Sequence, residues 1–463
     1  MSVKVDATAI EKLAANVVDT RYDNFDKATL EATKYRIIDT LGCLIGGSGD
    51  TGNPELVDLL RRQGGKEEAT ILVHGGKVPA GNAALVNSAM ARSFDFEPVS
   101  PIVDGANWPG HISGTTVPTA VSLAEAVNAD GREMVCALLA GDDVAARMLA
   151  ASGFGFTLGW DGTGTVNAFG ATAIAGRLLK LNKLQMRNAF GIVLNQVGST
   201  FQIIWDGTTA FKLPQGLSAR AGIFSAELAK AGWTGPEDAL LSQFGYYKMF
   251  TEGCKKPEVL TAGLGRAYYY DAITKPYPGC RIPHAAIDAT LALVRKHSIK
   301  AADVKEVVLF LHQGGIDHVC GHPFKIGPFP HGNAAFSYQF SIATALLYGS
   351  VKPEHFTEKA IRDPKIKDFV GKIKFEAVGD VPFEGARVKL VLKDGRELTE
   401  DVPVARGNPI FNPMSNDEKL AKFWTNVEFS GKISRQKANK LLATIEDIDK
   451  LDSVRKMIPL LVA

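Results

Sequence analysis

Apolar residues recur at three- and four-residue steps through most of the first 265 residues, and this helical period then gives way to strand-like alternation. Such a change of period predicts a large helical body joined to a smaller α+β part. From Leu30 the positions Ile37, Ile38, Leu41, Leu44 and Ile45 mark one buried helix face, and Gly46-Gly47 marks its stop. Residues 118–129, 131–150, 168–181, 184–197, 217–231 and 284–297 read the same way, so the chain up to about 265 reads as all-helical. After Pro283, VKEVVLFLH (304–312) has the branched, apolar character of a strand, and Val388, Leu390 and Leu392 alternate before a hairpin turn at Asp394-Gly395. Ser415 with Glu418 reads as a capping box, and 432–444 and 447–461 read as helices that return to the first body.

At 463 residues the chain exceeds the size at which one core stops growing, so two domains with a cleft between them are expected. Lys and Arg number 52 against 50 Asp and Glu, which leaves no basic field for nucleic acid; an anionic ligand must be held by local charges. Asp6, Glu11 and Lys12 interrupt the start where an export signal needs an apolar run, and no stretch approaches the roughly 20 apolar residues of a membrane span. Five cysteines, unevenly spaced and odd in number, fit a reducing compartment. These features predict a cytoplasmic protein without membrane or nucleic-acid partners.

Four polar islands interrupt the apolar, small-residue packing. In SFDFEPVSPIVDGANWPGHISGTTVP, Asp95 leaves an alanine-rich helix and His111 precedes a helix start with Ser113, Thr115 and Thr116. A histidine at a helix N-terminus has its neutral form favoured, which suits a general base. In WDGTGTVNAFGATA, Asp161 and Thr163 lie among glycines whose backbone N–H groups could receive a carboxylate, although Asp161 could equally cap its own helix. In WDGTTAFKLPQGLSARAG, Lys212 follows an apolar pair and Arg220 comes about two helical turns later, a cation placed to bind a carboxylate or move a proton. The fourth, KPYPGCRIPHAAIDA, gathers Lys275, Tyr277, Cys280, Arg281 and His284 at the junction of the two parts, where clefts form.

His318, Cys320 and His322 alternate as HxCxH and would share one side of an extended segment, a possible metal site. The spacing is not that of a standard zinc motif, so no metal ligand is assigned. A Walker A loop, GxSxG and HExxH are missing, and the glycine runs GGSGDTG and GFGFTLG follow no strand of the dinucleotide-binding kind.

Taken together, the islands resemble the MmgE/PrpD family of dehydratases, decarboxylases and epimerases. The resemblance is carried by IIDTLGCLIGG, SFDFE with GHISGTTVP, GTGTVNAFGATAIAGRLLKL, FKLPQGLSARAGIFSAELAKAGWTGP, KPYPGCRIPHAAIDA and AAFSYQFSIATALLYG, in that order along nearly the whole chain. It implies a mostly α fold: a large helical domain built from both chain ends (1–268 and 406–463), an inserted α+β lid (269–405), and a homodimer. It also places Asp95, His111, Lys212, Lys275 and His284 on active-site motifs, with Arg220 and Tyr277 beside them. Three positions depart from the family pattern: Asp161-Gly162 stands where decarboxylases and dehydratases often have His followed by Pro-Thr, and, relative to the decarboxylase, Cys280 replaces a histidine and Phe340 a tyrosine.

The resulting expectation is a cofactor-independent, 2-methylcitrate dehydratase-like lyase. His111 takes a proton from carbon next to a carboxylate of a di- or tricarboxylic acid. Lys212, Lys275 and Arg281, with Arg220, Asp161 and Thr163, hold the substrate. Tyr277 or His284 returns a proton or assists a leaving hydroxide, with Asp95 beside them. Epimerisation of a dicarboxylate is the alternative; behind it stand a cis-aconitate-type decarboxylation and a metal-dependent lyase, and a non-catalytic carboxylate-binding protein stays open.

Overall fold

The computed structural model describes residues 7–153 and 159–463, so Asp6 and most of the GFGFTLG run lie outside the described residues. The fold is mostly α. The expected early helix spans Lys27–Gly47, and those expected near 131–150 and 284–297 span Gly131–Ala151 and His284–His297. Asp130 caps the second of these by accepting from the Glu133 N–H at 2.8 Å, which explains its sharp start.

The helix expected from Pro118 instead spans Ser113–Val127. Its first turn is fixed from far along the chain, because Asp271 Oδ2 accepts the N–H groups of Ile112 (2.8 Å) and Ser113 (2.6 Å). Helices Val166–Leu178, Lys183–Val193 and Leu213–Lys230 complete the packed centre of this part. Small residues permit the close crossings: a Cβ on Gly222 would fall 2.5 Å from that of Ala171. One core joins Ile10 and Leu13 near the start to Phe423, Leu441 and Leu461 near the end.

The first part is not all-helical. Val99–Val103 is a strand that pairs antiparallel with Asp271–Ile273 on one side and Ala106–Asn107 on the other. Asp104-Gly105, both at positive φ, form the two-residue turn to Ala106–Asn107, whereas the other partner lies far away in sequence. Toward the C-terminus the Ser415–Glu418 capping box is present and Arg435–Glu446 is helical, but 447–461 forms three short 3-10 turns. Asp and Ser side chains compete for the backbone there, and Ser453 Oγ accepts from the Arg455 N–H.

The second core gathers residues from Ala285 to Ala405, together with Cys43, Phe94, Phe96, Ile204 and Phe211 from earlier in the chain. Its sheet has four strands, with Val304–Leu311 between Ile373–Ala377 (parallel) and Ala386–Leu392 (antiparallel), and Glu397–Val402 at the edge. Along Ala386–Leu392 every second residue is buried, as the alternation predicts. The hairpin turn holds Gly395 at φ 91°.

Candidate active site

A cavity of about 380 Å³ opens where residues of the two cores meet. One wall carries Arg92, Ser100, His111, Trp160, Asp161 and Thr163; the other carries Cys280, Arg281, His318, Phe336, Phe383 and Glu384. His111 is delivered by the turn after the Val99–Val103 strand, where Ser100 N–H donates to the Gly110 carbonyl at 2.9 Å. Asn167 Nδ2 donates to the His111 carbonyl at 2.6 Å and holds the main chain from the facing helix.

Behind His111 lies a buried ring of charge. Arg92 closes the helix Ala80–Arg92, and Asp95 follows it at φ 47°, a left-handed turn that Asp tolerates and that folds its carboxylate back onto the guanidinium. Arg92 Nη1 donates to Asp95 Oδ1 and, at 3.0 Å, to Glu97 Oε1. Lys275 Nζ donates to the Asp95 carbonyl at 2.7 Å and to its Oδ1 at 2.6 Å. Glu97 Oε1 also accepts from Gln215 Nε2 at 2.8 Å, and only glycine at 114 leaves room for that amide.

This ring surrounds Nδ1 of His111. Its Nδ1 lies 3.1 Å from Glu97 Oε1 and 2.9 Å from Arg92 Nη1. Arg92 Nη1 bears two hydrogens and faces three acceptors, Asp95, Glu97 and His111 Nδ1; with both hydrogens on the carboxylates, Nδ1 is the donor toward Glu97. In that tautomer Nε2 keeps its lone pair, and it has no protein partner among the described residues. Burial, reinforced by Arg92 and Lys275 and opposed by Asp95 and Glu97, holds the imidazole below its ordinary value, so it is neutral at pH 7.

Arg281 is the other distinctive group. Its Nη1 and Nη2 donate to the carbonyls of Arg406 and Ala405 (2.6 Å for the latter), and no described carboxylate lies within salt-bridge distance. Carbonyls hold the guanidinium without neutralising it. Among the described residues lining the cavity it is the guanidinium without a carboxylate in salt-bridge contact, with Glu384 and Asp288 acting on it from further off, whereas Arg92 has Asp95 and Glu97.

Of the expected site residues, His111, Asp161, Thr163 and Arg281 line the cavity, and Asp95 and Lys275 stand behind His111. The backbone cradle expected around Asp161 is taken internally. Its Oδ1 accepts from the Thr163 N–H at 3.0 Å, and the Gly164 and Thr165 N–H groups bond to Asp161 and Gly162.

Lys212 is placed elsewhere: its Nζ donates to Asp50 Oδ2 and the Thr51 carbonyl, both at 2.5 Å, and Asp50 is shared with His331 Nδ1 at 2.9 Å. Arg220 is exposed beside Gly81, on a different surface groove. The Tyr277 hydroxyl donates to Asp288 at 2.7 Å, with its ring edge-on to His284, and His284 is fully buried with burial pulling it far down. Neither side chain lines the cavity. Phe340 packs against Phe324 and Phe356 in the second core.

The HxCxH run is split. His318 and Cys280, which line the cavity, come together with the buried Cys320, while His322 stacks edge-on against Trp205, ring centroids 4.5 Å apart. A hydrogen bond with Cys320 lowers the Cys280 thiol, and burial pushes Cys320 well up and His318 down to about 4.

Arg92, Glu97, Gln215, Glu384 and Asp271 escaped the sequence reading. Arg92 and Glu97 flank the quoted Asp95, and an Arg at a helix end followed by alternating acids was the available signal; Gln215, Glu384 and Asp271 left none.

The MmgE/PrpD N-terminal domain model matches residues 11–258 and the MmgE/PrpD C-terminal domain model matches residues 277–447. The chain therefore belongs to the MmgE/PrpD family. It is similar to cis-aconitate decarboxylase of Mus musculus, with 23% identity over 96% of this chain and 91% of that protein. Cis-aconitate decarboxylase of Homo sapiens is 24% identical over 97% of this chain and 94% of its own length. Among the described residues no helix is long and apolar enough to cross a membrane.

Proposed function

We propose that this protein is a hydro-lyase of the 2-methylcitrate dehydratase kind in its reaction, acting on a hydroxydicarboxylate. The observation that carries this reading is the free lone pair of His111 Nε2 in the same cavity as the guanidinium of Arg281. A proton on carbon beside a carboxylate is weakly acidic, so its removal needs a positioned base and a cation where charge develops. His111 takes the proton, the electron pair becomes the new C=C bond, and the C–O bond breaks. The imidazolium, stabilised by Glu97, then returns the proton to the departing hydroxide as water.

The charges around the cavity bear on the substrate. Arg92, Lys275 and Arg281 are positive, while Asp95, Glu97, Asp161 and Glu384 are negative, a formal balance of −1 with His111 neutral. Such a site disfavours a tricarboxylate, and Trp160, Phe201, Ile204, Phe336 and Phe383 offer walls for an apolar arm. Epimerisation of a dicarboxylate is the second reading, favoured by a second group, Glu384, able to carry a proton on the wall bearing Arg281.

We place the division between a helical unit (1–268 and 406–463) and an α+β lid (269–405) at this cavity, and read the protein as a cytoplasmic homodimer. The separate second core and the two-sided lining support the division. Exposed apolar side chains at Leu217, Phe224, Trp233 and Phe244 support the dimer.

The test is NMR in deuterated water with 2-methylcitrate, citrate, cis-aconitate, iminodisuccinate and an alkyl-substituted malate. Alkene formation identifies the dehydratase, and deuterium uptake with inversion the epimerase. Loss of carbon dioxide, or ligand-induced thermal stabilisation without any exchange, overturns both. His111→Gln, folded by circular dichroism, should abolish exchange; a variant that still exchanges removes His111 as the base.

A further inference from the structure

We propose that Cys280, His318 and Cys320 form a binding site for a thiophilic divalent cation of the zinc type, on the cavity wall that bears Arg281. The ligand atoms of these three residues all lie within 4.8 Å of one another, although they come from two segments of chain. Zinc–sulfur bonds of about 2.3 Å and zinc–nitrogen bonds of about 2.0–2.1 Å put tetrahedral ligand atoms about 3.6–3.8 Å apart. Closing from the observed spacing to that distance is a rotamer adjustment.

The chemistry of the set is specific. Two thiols and one imidazole suit a soft or borderline cation and are poor ligands for calcium or magnesium. All five cysteines are free, so no disulfide competes for Cys280 and Cys320. The other cluster of potential ligands, Asp95, Glu97 and His111, has its carboxylates already held by Arg92 and Lys275, and cations there would meet cations. Lys275 lies near enough to act on both thiols, but its ammonium is held by Asp95.

The site differs from the run the sequence suggests. The 3-10 turn Val319–Gly321 lies between His318 and His322 and turns the latter away, and Cys280 supplies the third ligand from the segment that also carries Arg281. Cys320 is fully buried, whereas Cys280 and His318 border the cavity. Three protein ligands leave a tetrahedral cation with one position directed at the cavity, the arrangement of metal sites that take an exogenous oxygen ligand. The His318 Nδ1 contact with the Cys320 N–H, 3.3 Å, is weak enough to be given up on binding. This proposal stands apart from the role assigned to His111, and either can fail alone.

The test uses the full chain, stripped with chelator under reducing conditions and reloaded with Zn²⁺ or Co²⁺ alone. One Zn²⁺ per chain should survive gel filtration, and the Co²⁺ form should show thiolate-to-cobalt charge-transfer absorption. Cys280→Ser and His318→Gln should each weaken binding by about 100-fold or more, since loss of even an outer-shell partner costs about 10–100-fold. Cys254→Ser, a free thiol elsewhere, should bind as the wild type does. Cys280 and His318 border the cavity, so these variants should fold, which circular dichroism checks. The proposal is overturned by substoichiometric zinc in the wild type, by absent charge-transfer bands, by unaltered affinity in Cys280→Ser, or by a Cys280–Cys320 disulfide in its place.

Discussion

Glu97 Oε1 lies 3.1 Å from Nδ1 of His111 and is itself pinned by Arg92 and Gln215. Burial favours its neutral form, but Arg92 and His111 prevail and hold the carboxyl well below its usual range. Glu97→Gln replaces an acceptor that favours one tautomer by an amide that can present its N–H to Nδ1 instead. The wrong ring nitrogen then faces the substrate, so kcat should fall by about 10²–10⁴-fold with KM little changed. Steady-state kinetics on the substrate identified by NMR checks this; an unchanged kcat separates Glu97 from the tautomer.

His111 must be neutral to act as a base, and its surroundings lower it from the ordinary 6.5. Activity should therefore be lost only as pH falls through a value below 6.5, and kcat/KM should be flat from there through neutral pH. A protonation limb at or above 6.5 in the pH profile contradicts the assignment.

Lys212 illustrates a charge that serves the fold. Its partner Asp50 is held at about 2, against an ordinary 3.8, because His331 and Lys212 outweigh the burial that pushes it up. The folded value is depressed, so this stabilisation is fully present above about pH 4 and is lost as pH falls through about 2. Asp50→Asn leaves a buried ammonium without its counter-charge and should cost about 3 kcal/mol in urea unfolding. Lys212→Met should destabilise likewise and leave kcat/KM of the remaining folded protein unchanged; a selective loss of kcat returns Lys212 to the catalytic machinery.

The sequence made legible whatever had a local cause. Helix Gly131–Ala151 was readable from its apolar period, and helix Asn416–Ser430 from Ser415 and Glu418. Three of the four islands supply cavity-lining residues, because polar groups amid small-residue packing need a reason to be there. The ion pair of Lys212 with Asp50 spans 162 residues and leaves no local trace. HxCxH misled because alternation holds only in extended backbone, and the turn Val319–Gly321 breaks it.

Leu217 and Phe224 lie two turns apart on one helix, and Phe224 and Trp233 remain 50% and 63% exposed. In the proposed homodimer an apolar face of this kind would be the one covered. If the wild type is dimeric in light scattering, Phe224→Asp should shift it to monomer with helicity intact; a wild type that is already monomeric ends that reading.

Glu384 gives the sharpest test of the substrate argument. It lines the cavity, accepts from Asn107 Nδ2 at 3.0 Å, and touches none of the ring that orients His111. Glu384→Gln keeps the shape and brings the formal balance of the cavity from −1 to zero. At an effective dielectric near 20, one charge several ångströms away contributes about 1–2 kcal/mol to each added substrate charge. The variant should therefore raise kcat/KM for a tricarboxylate relative to a dicarboxylate by about 5–30-fold. If the epimerase reading holds, the same change should instead abolish inversion while leaving deuterium exchange by His111 in place. An unchanged ratio together with intact inversion means that Glu384 neither repels nor protonates the substrate, and the preference for a dicarboxylate loses its physical basis.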